Sequence, residues 1–287
     1  MNSTNITEKL TDNVLAAYGN IENPRTQQIM KSLIQHLHGF IKDIQLSEPE
    51  WEYAWDFLAR MAQFTSKDRN EFLLMADVLG ASQLIEIMNH QRPSNSVGYA
   101  LGGPFYRANA PLRARGTCTA SDETTGKRVI ITGTVINLAD GKPISNATLD
   151  VWQAATNGFY ENQDPAQPNM NLRGKFKTDD KGTYELIALL PTPYPVPTDG
   201  PVGELLRTAK RHPLRPAHIH FVVSAPEHET LVTQVFMADD EIIHTDAVFT
   251  ASDNMVGNFI KDGDHYRLNY DFQLAEGESI CPKAPIP

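Results

Sequence analysis

Between residues 215 and 221 the chain reads Arg-Pro-Ala-His-Ile-His-Phe, and an apolar run continues through Val222 and Val223. Alternate residues of a β-strand face the same way, so a strand here sets the imidazoles of His218 and His220 side by side on one surface. Neutral imidazole is a good metal ligand, and two on one face make half of a coordination site. Pro216 suits the first position of a strand, where its missing N–H costs no ladder bond. Exposed strand histidines are common, so the pair alone decides nothing. The remaining ligands must come from elsewhere in the chain.

Tyrosines are the next donors to consider. Tyr160 lies in Asn-Gly-Phe-Tyr-Glu-Asn-Gln, just after a strand-like segment, and Tyr194 in the proline-stiffened Pro-Thr-Pro-Tyr-Pro-Val-Pro. Each projects from a rigid segment, although the ordinary use of such a tyrosine is amphipathic packing with its hydroxyl in water. A competing pattern is His244 and Asp246 with His265 further on, which supply the two histidines and one carboxylate of a facial iron(II) triad.

These groups need a scaffold, and the chain offers two textures. From residue 5 to about 90 the apolar period is helical. Asn23 reads as an N-cap with Pro24 at the first helical position, and Ile29, Leu33, Leu37, Phe40 and Ile44 mark one face of a long helix. Ser47 and Glu50 have capping-box spacing ahead of a face built from Trp51, Trp55 and Phe57. Gly80 suits a helix end, and a short helix follows it. The composition changes at Gln91–Pro111, where glycine, proline, asparagine and serine accumulate, and a boundary near residue 100 is expected. Beyond it come short strands with turn signals, at residues 128–137, 147–154, 174–179, 182–189, 218–225, 231–238 and 266–274. The expected fold is therefore α+β: a helical region over 1–100, then an antiparallel β-sandwich over 101–287.

Bulk properties narrow the partners. A net charge of −10 at pH 7 argues against nucleic acid or an anionic membrane as the main partner and favours a small molecule. No run of about 18 apolar residues spans a bilayer, and the first residues have no secretory pattern, so a cytoplasmic location is expected. Two cysteines, Cys118 and Cys281, make neither a disulfide framework nor a thiolate metal site and are expected to be inert packing residues.

Taken together, Tyr160, Tyr194, Arg215, His218-Ile219-His220 and Gln234, with Leu-Gly-Gly-Pro-Phe-Tyr-Arg at 101–107 and Asp-Val-Trp-Gln-Ala at 150–154, resemble the intradiol ring-cleavage dioxygenases over nearly the whole chain. The resemblance implies that Tyr160, Tyr194, His218 and His220 bind one Fe(III) per subunit, with water or hydroxide completing the set. Two phenolates and one hydroxide would balance the three charges of this hard cation. It further implies an aromatic 1,2-diol and O2 as substrates. Tyr194 would leave the metal to act as a base, Arg215 would stabilise negative charge on the ring, and Gln234 would orient the site. The implied pocket walls are Leu74, Asp77, Leu101, Pro104, Phe105, Ala247 and Val248. The helix with Asp77 looks closest to hydroxyquinol 1,2-dioxygenases, whose substrate is benzene-1,2,4-triol, while catechol or a substituted catechol stays open. The family also pairs two subunits through their helical regions, commonly around a lipid. A non-catalytic transthyretin-like binding module is the remaining reading, since fold does not fix function.

Overall fold

The structure is a computed structural model that describes residues 3–66 and 69–286. The chain divides into two compact units, Met1–Ala59 and Arg60–Pro287.

In the first unit, α1 (Ser3–Ala17) is followed by α2 (Pro24–Ile44) and by most of α3 (Glu48–Phe64). The Asn23 side chain accepts a bond from the Thr26 N–H with Pro24 in the first turn, as the sequence predicts. Such a cap is worth about 1 kcal/mol. Glu50 takes the Ser47 backbone N–H at 2.9 Å, one half of a capping box, while the Ser47 hydroxyl donates to the same carboxylate at 2.7 Å. The apolar period of α2 is present but its burial is not. Ile34 is buried, whereas Ile29, Leu33, Leu37, Phe40 and Ile44 are all exposed. Trp51 and Trp55 of α3 are exposed too, against the burial that their spacing suggests.

The second unit opens with the rest of α3, α4 (Glu71–Val78) and α5 (Ala81–Asn89). Asn70 caps α4 through the Leu73 N–H, and Gly80 separates α4 from α5 at φ +73°, a conformation that glycine adopts without a Cβ penalty. The strands follow: β1 (Arg128–Asn137), β2 (Thr148–Trp152), β3 (Arg173–Lys177), β4 (Thr183–Leu189) and β5 (Tyr194–Pro195). A helix not expected from the sequence, α6 (Pro201–Thr208), precedes β6 (Leu214–Arg215), β7 (His218–Ser224), β8 (Leu231–Met237), β9 (Val256–Gly257), β10 (Ile260–Asp262), β11 (His265–Asn269) and β12 (Phe272–Leu274).

One sheet has the order β10-β11-β1-β12, with β4 also on β1; the other runs β3-β2-β7-β8-β9. The alternation in β1 buries Val129, Ile131 and Val135 between the sheets with Leu149, Val151, Ile219, Phe221 and Phe272. Each such side chain contributes about 1.5–3 kcal/mol when fully buried. The sheets are mixed and not purely antiparallel. β1 pairs in parallel with β11 and β12, and β8 with β9. The parallel partners of β1 lie more than a hundred residues away along the chain, so the long crossover that parallel pairing requires is available.

Because Ile219 and Phe221 point into the core, His218, His220 and Val222 of β7 must face the other way, as must Asp150 and Trp152 of the adjacent β2. The candidate site is built on this outer face.

Candidate metal centre and substrate site

His220 lies opposite Trp152 on one side and Gln234 on the other. The indole of Trp152 stacks on the His220 ring, 4.6 Å between centroids and 10° from parallel. Tyr160 arrives from the loop after β2. Tyr194 and Arg215 arrive together because β5 pairs with β6 in the register Tyr194↔Arg215. The turn at Gly158 passes so close that a Cβ there would lie 3.2 Å from the Tyr194 Cβ, and at φ +84° only glycine fits without strain.

Four donor atoms close into a ring. Tyr160 Oη is 3.0 Å from Tyr194 Oη and 3.0 Å from His220 Nε2; His218 Nε2 is 3.3 Å from Tyr194 Oη and 3.2 Å from His220 Nε2. Donors held about 2.0–2.1 Å from one ion, at angles between square and tetrahedral, sit about 2.9–3.4 Å apart, so the ring has the dimensions of a coordination site. The chemistry agrees. His218 Nδ1 is 2.6 Å from the Pro216 carbonyl, which places its proton on that nitrogen and turns the Nε2 lone pair toward the ring. A backbone carbonyl behind the imidazole is the usual support of a metal-bound histidine.

Electrostatics point the same way. Burial, then Arg215, pushes His218 down to about 3, and burial, then His218, pushes His220 well below its ordinary value, so both imidazoles are neutral at pH 7, the form that can bind a metal. Burial, then Tyr194, pushes the Tyr160 phenol well above its ordinary value, so it ionises at neutral pH only with a cation to hold the charge. The described residues contain no gathering of three histidine, cysteine, aspartate or glutamate side chains that could hold a metal instead.

Arg215 is buried, and its guanidinium donates in three directions: to Asp246 at 3.2 and 3.1 Å, to Gln234 Oε1 at 2.8 Å and to His218 Nε2 at 3.2 Å. Burial opposes its charge, yet Asp246 and the two phenols outweigh that and raise its pKa. Gln234, fully buried, uses its other end to donate to the Leu101 carbonyl at 2.6 Å. Both residues are thus inside the site and not on a solvated face.

Asp246 has a role that its place in the competing His-Asp-His pattern hides. Its carboxylate accepts both Arg215 bonds and also the backbone N–H groups of Val248, Thr250 and Ala251. It has no lone pair to spare for a metal. His244 is exposed, and His265 pairs with Asp262 at 3.4 Å, so the triad is not assembled. No sequence signal marks this role of Asp246, because its partner Arg215 precedes it by 31 residues.

The expected pocket residues fall into three groups. Leu101 is bonded to Gln234, and the Phe105 ring lies 4.8 Å from the Tyr160 ring, while Pro104 between them is exposed. Ala247 and Val248 are buried in the loop that wraps Asp246. Leu74 and Asp77 sit half-buried one turn apart on α4. Burial raises the Asp77 pKa, opposed by a bond from Ser82 and by the charge of Arg215, which puts this carboxylate within the field of the site. A second buried group lies behind Trp152: Tyr106 packs on the indole at 4.8 Å and donates to Asp150 at 3.3 Å. Burial pushes Asp150 up to about 6 against the pull of Lys175. Cys281, against expectation, is exposed and Cys118 half-buried.

The chain that builds this arrangement is similar to known proteins over nearly its whole length. Residues 101–276 match a family described as "Dioxygenase", and residues 23–96 match "Catechol dioxygenase N terminus". A 6-chlorohydroxyquinol 1,2-dioxygenase of Cupriavidus pinatubonensis is 39% identical over 92% of this chain and 96% of its own length. A catechol 1,2-dioxygenase of Candida albicans is 36% identical over 96% of this chain and 94% of its own. The solved structure of hydroxyquinol 1,2-dioxygenase from Pseudomonas putida superposes with a TM-score of 0.91 at 35% identity, covering 96% of this chain and all of that one. The chain belongs to the intradiol ring-cleaving dioxygenases.

Proposed function

We propose that this enzyme cleaves hydroxyquinol between its adjacent hydroxyls with O2, giving 3-hydroxy-cis,cis-muconate and its keto form maleylacetate, at a ferric ion held by Tyr160, Tyr194, His218 and His220. The observation that carries this is the closed ring of two phenol oxygens and two neutral imidazoles, with Arg215 at its edge. An Fe(III) held by these four residues would supply Lewis acidity toward the bound diol.

The chain's own residues do the rest. Tyr160 is buried at 1% exposure and keeps its place, whereas the half-buried Tyr194 is the phenol that leaves to take a substrate proton at its Oη. Arg215, locked by Asp246 and Gln234, presents a permanent positive charge where negative charge grows on the ring. Phe105, packed on the Tyr160 ring, helps to keep water from the site. Asp77 favours hydroxyquinol, because a carboxylate on that wall accepts a bond from the third hydroxyl. The catechol reading is favoured by the Candida albicans relative and would yield cis,cis-muconate.

We further propose a homodimer through residues 1–100, with lipid between the subunits. The exposed stripe Ile29, Leu33, Leu37, Phe40 and Ile44 supports it, since an apolar face of that length calls for a cover. The change of texture near residue 100 supports that boundary between helical and catalytic regions. No helix among the described residues is long and apolar enough to cross a membrane.

The test is oxygen uptake by iron-loaded protein with hydroxyquinol, catechol, 4-methylcatechol and chlorocatechols, together with its colour. We expect a red protein, from phenolate-to-iron(III) charge transfer, that prefers hydroxyquinol. A colourless iron protein or one inert to every diol would overturn the assignment.

A further inference from the structure

Two walls of the pocket come from segments far apart in the chain, and one cation joins them. Helix α6 ends with Lys210 in the left-handed conformation at φ +54°; the Lys210 N–H donates to the Arg207 carbonyl and the Arg211 N–H to the Leu206 carbonyl. This pair of bonds is a Schellman ending, and it aims Arg211 away from the helix. The guanidinium of Arg211 then donates to the Val78 carbonyl, the last of α4, at 2.7 Å through Nη1 and to the Ala247 carbonyl at 3.1 Å through Nη2. Its Cζ lies 4.3 Å from the centre of the Phe249 ring.

The surroundings make this more than a surface contact. At the other end of the helix pair, Glu71 opens α4 and accepts the Val202 N–H of α6 at 3.0 Å, so α4 and α6 are tied at both ends. Phe249 is an exposed phenylalanine held at φ +58°, a conformation that bulky side chains avoid. Such strain persists only where neighbours over-determine it, and it gathers at ligand-clamping turns. Here Asp246 holds the turn from within through the Val248, Thr250 and Ala251 N–H groups, and Arg211 holds it from without. The ring of Phe249 also lies against Gly80, immediately beyond α4.

We infer that Arg211 is a specificity-positioning residue: by bonding the end of α4 and the Ala247 turn at once, it sets the gap between Asp77 on one wall and Ala247 and Val248 on the other. That gap decides which ring substituent fits. Arg211 touches no reacting atom and acts through the two walls. The guanidinium meets the two carbonyls with two separate nitrogens in a rigid plane, a spread that the single nitrogen of an ammonium on a flexible stem does not reproduce. The inference rests on the reading of the site as a diol pocket.

The experiment compares iron-loaded wild type with Arg211→Lys and Arg211→Met, measuring kcat and KM for hydroxyquinol, catechol and 4-methylcatechol, with the visible band as a check on the metal. We expect the band and iron content to be kept. The kcat/KM ratio of hydroxyquinol to catechol should fall about ten-fold in Arg211→Met, mainly through KM, and less in Arg211→Lys, as for loss of a positioned bond. Unchanged ratios in both variants overturn the inference. So does loss of iron or fold in both, because Arg211 is then a general structural residue. A wild type that turns over no diol overturns the function itself, and with it this inference; an active wild type whose variants keep its ratios overturns the inference alone.

Discussion

The proton on His218 faces the Pro216 carbonyl, and that single bond decides what the ring of donors can hold. Both imidazoles are neutral and the Tyr160 phenol ionises at neutral pH only against a cation, so on the proposed reading the ion is held by the four donors acting together. Removing either kind of donor should therefore remove the metal. We expect Tyr160→Phe and His218→Ala to purify without iron and without the visible band, measured by metal analysis and absorbance; full colour in either would sink the ligand assignment. On the proposed reading Asp77 bears on specificity instead. A bond to a charged group is worth about 1.5–3 kcal/mol, so Asp77→Ala should lower kcat/KM for hydroxyquinol relative to catechol by about ten- to a hundred-fold. Any general loss of iron or fold cancels in that ratio. An unchanged ratio would make plain catechol the preferred substrate.

At the scale of elements, α2 carries the consequence that a single chain leaves open. If its apolar stripe is the subunit contact, a charge in the middle of it should part the subunits. Leu37→Glu is expected to convert a dimer to a monomer by light scattering at micromolar concentration while leaving diol turnover per site nearly intact. A wild type already monomeric at that concentration would refute the contact. The same helix illustrates what a sequence discloses. Its period and its Asn23-Pro24 start are local properties and were readable, but the burial of the stripe depends on what covers it. Strand β1 was readable over its full length because alternation against one core leaves a clear trace. The His-x-His pair was readable for the same reason. Helix α6 was not, because its eight residues begin at Pro201, directly after Gly200, and look like a continuation of the proline-rich loop. The roles of Arg211 and Asp246 were also hidden, since the carbonyls and N–H groups that they bind are brought in by tertiary folding.

Across the whole molecule, the site shares one face of a sheet with a buried acid. Asp150 ionises near 6 in the folded state and near 3.8 when unfolded. Between those values the folded chain holds a proton that the unfolded chain has lost, so this residue's contribution to stability falls as pH rises from about 4 to 6 and stays low above that. The full cost is about 3 kcal/mol. Asp150→Asn lacks the proton and keeps an acceptor for Tyr106, so its stability relative to wild type should improve across that window and then level off. Urea unfolding of both proteins at pH 4, 5, 6 and 7, at equal iron content, checks it; a difference independent of pH would contradict it.

The stack of Trp152 on His220 also gives the enzyme a built-in optical reporter. Of the three tryptophans, Trp51 and Trp55 are exposed in the N-terminal unit, and Trp152 alone lies buried, stacked on the ring of His220, a proposed iron ligand. Its emission should be blue relative to theirs and should be extinguished as ferric ion fills the adjacent site, through energy transfer to the charge-transfer band. Titration of apoprotein with iron would then read occupancy as loss of the blue edge of fluorescence, and Trp152→Phe would leave only the red-shifted light of the helical pair.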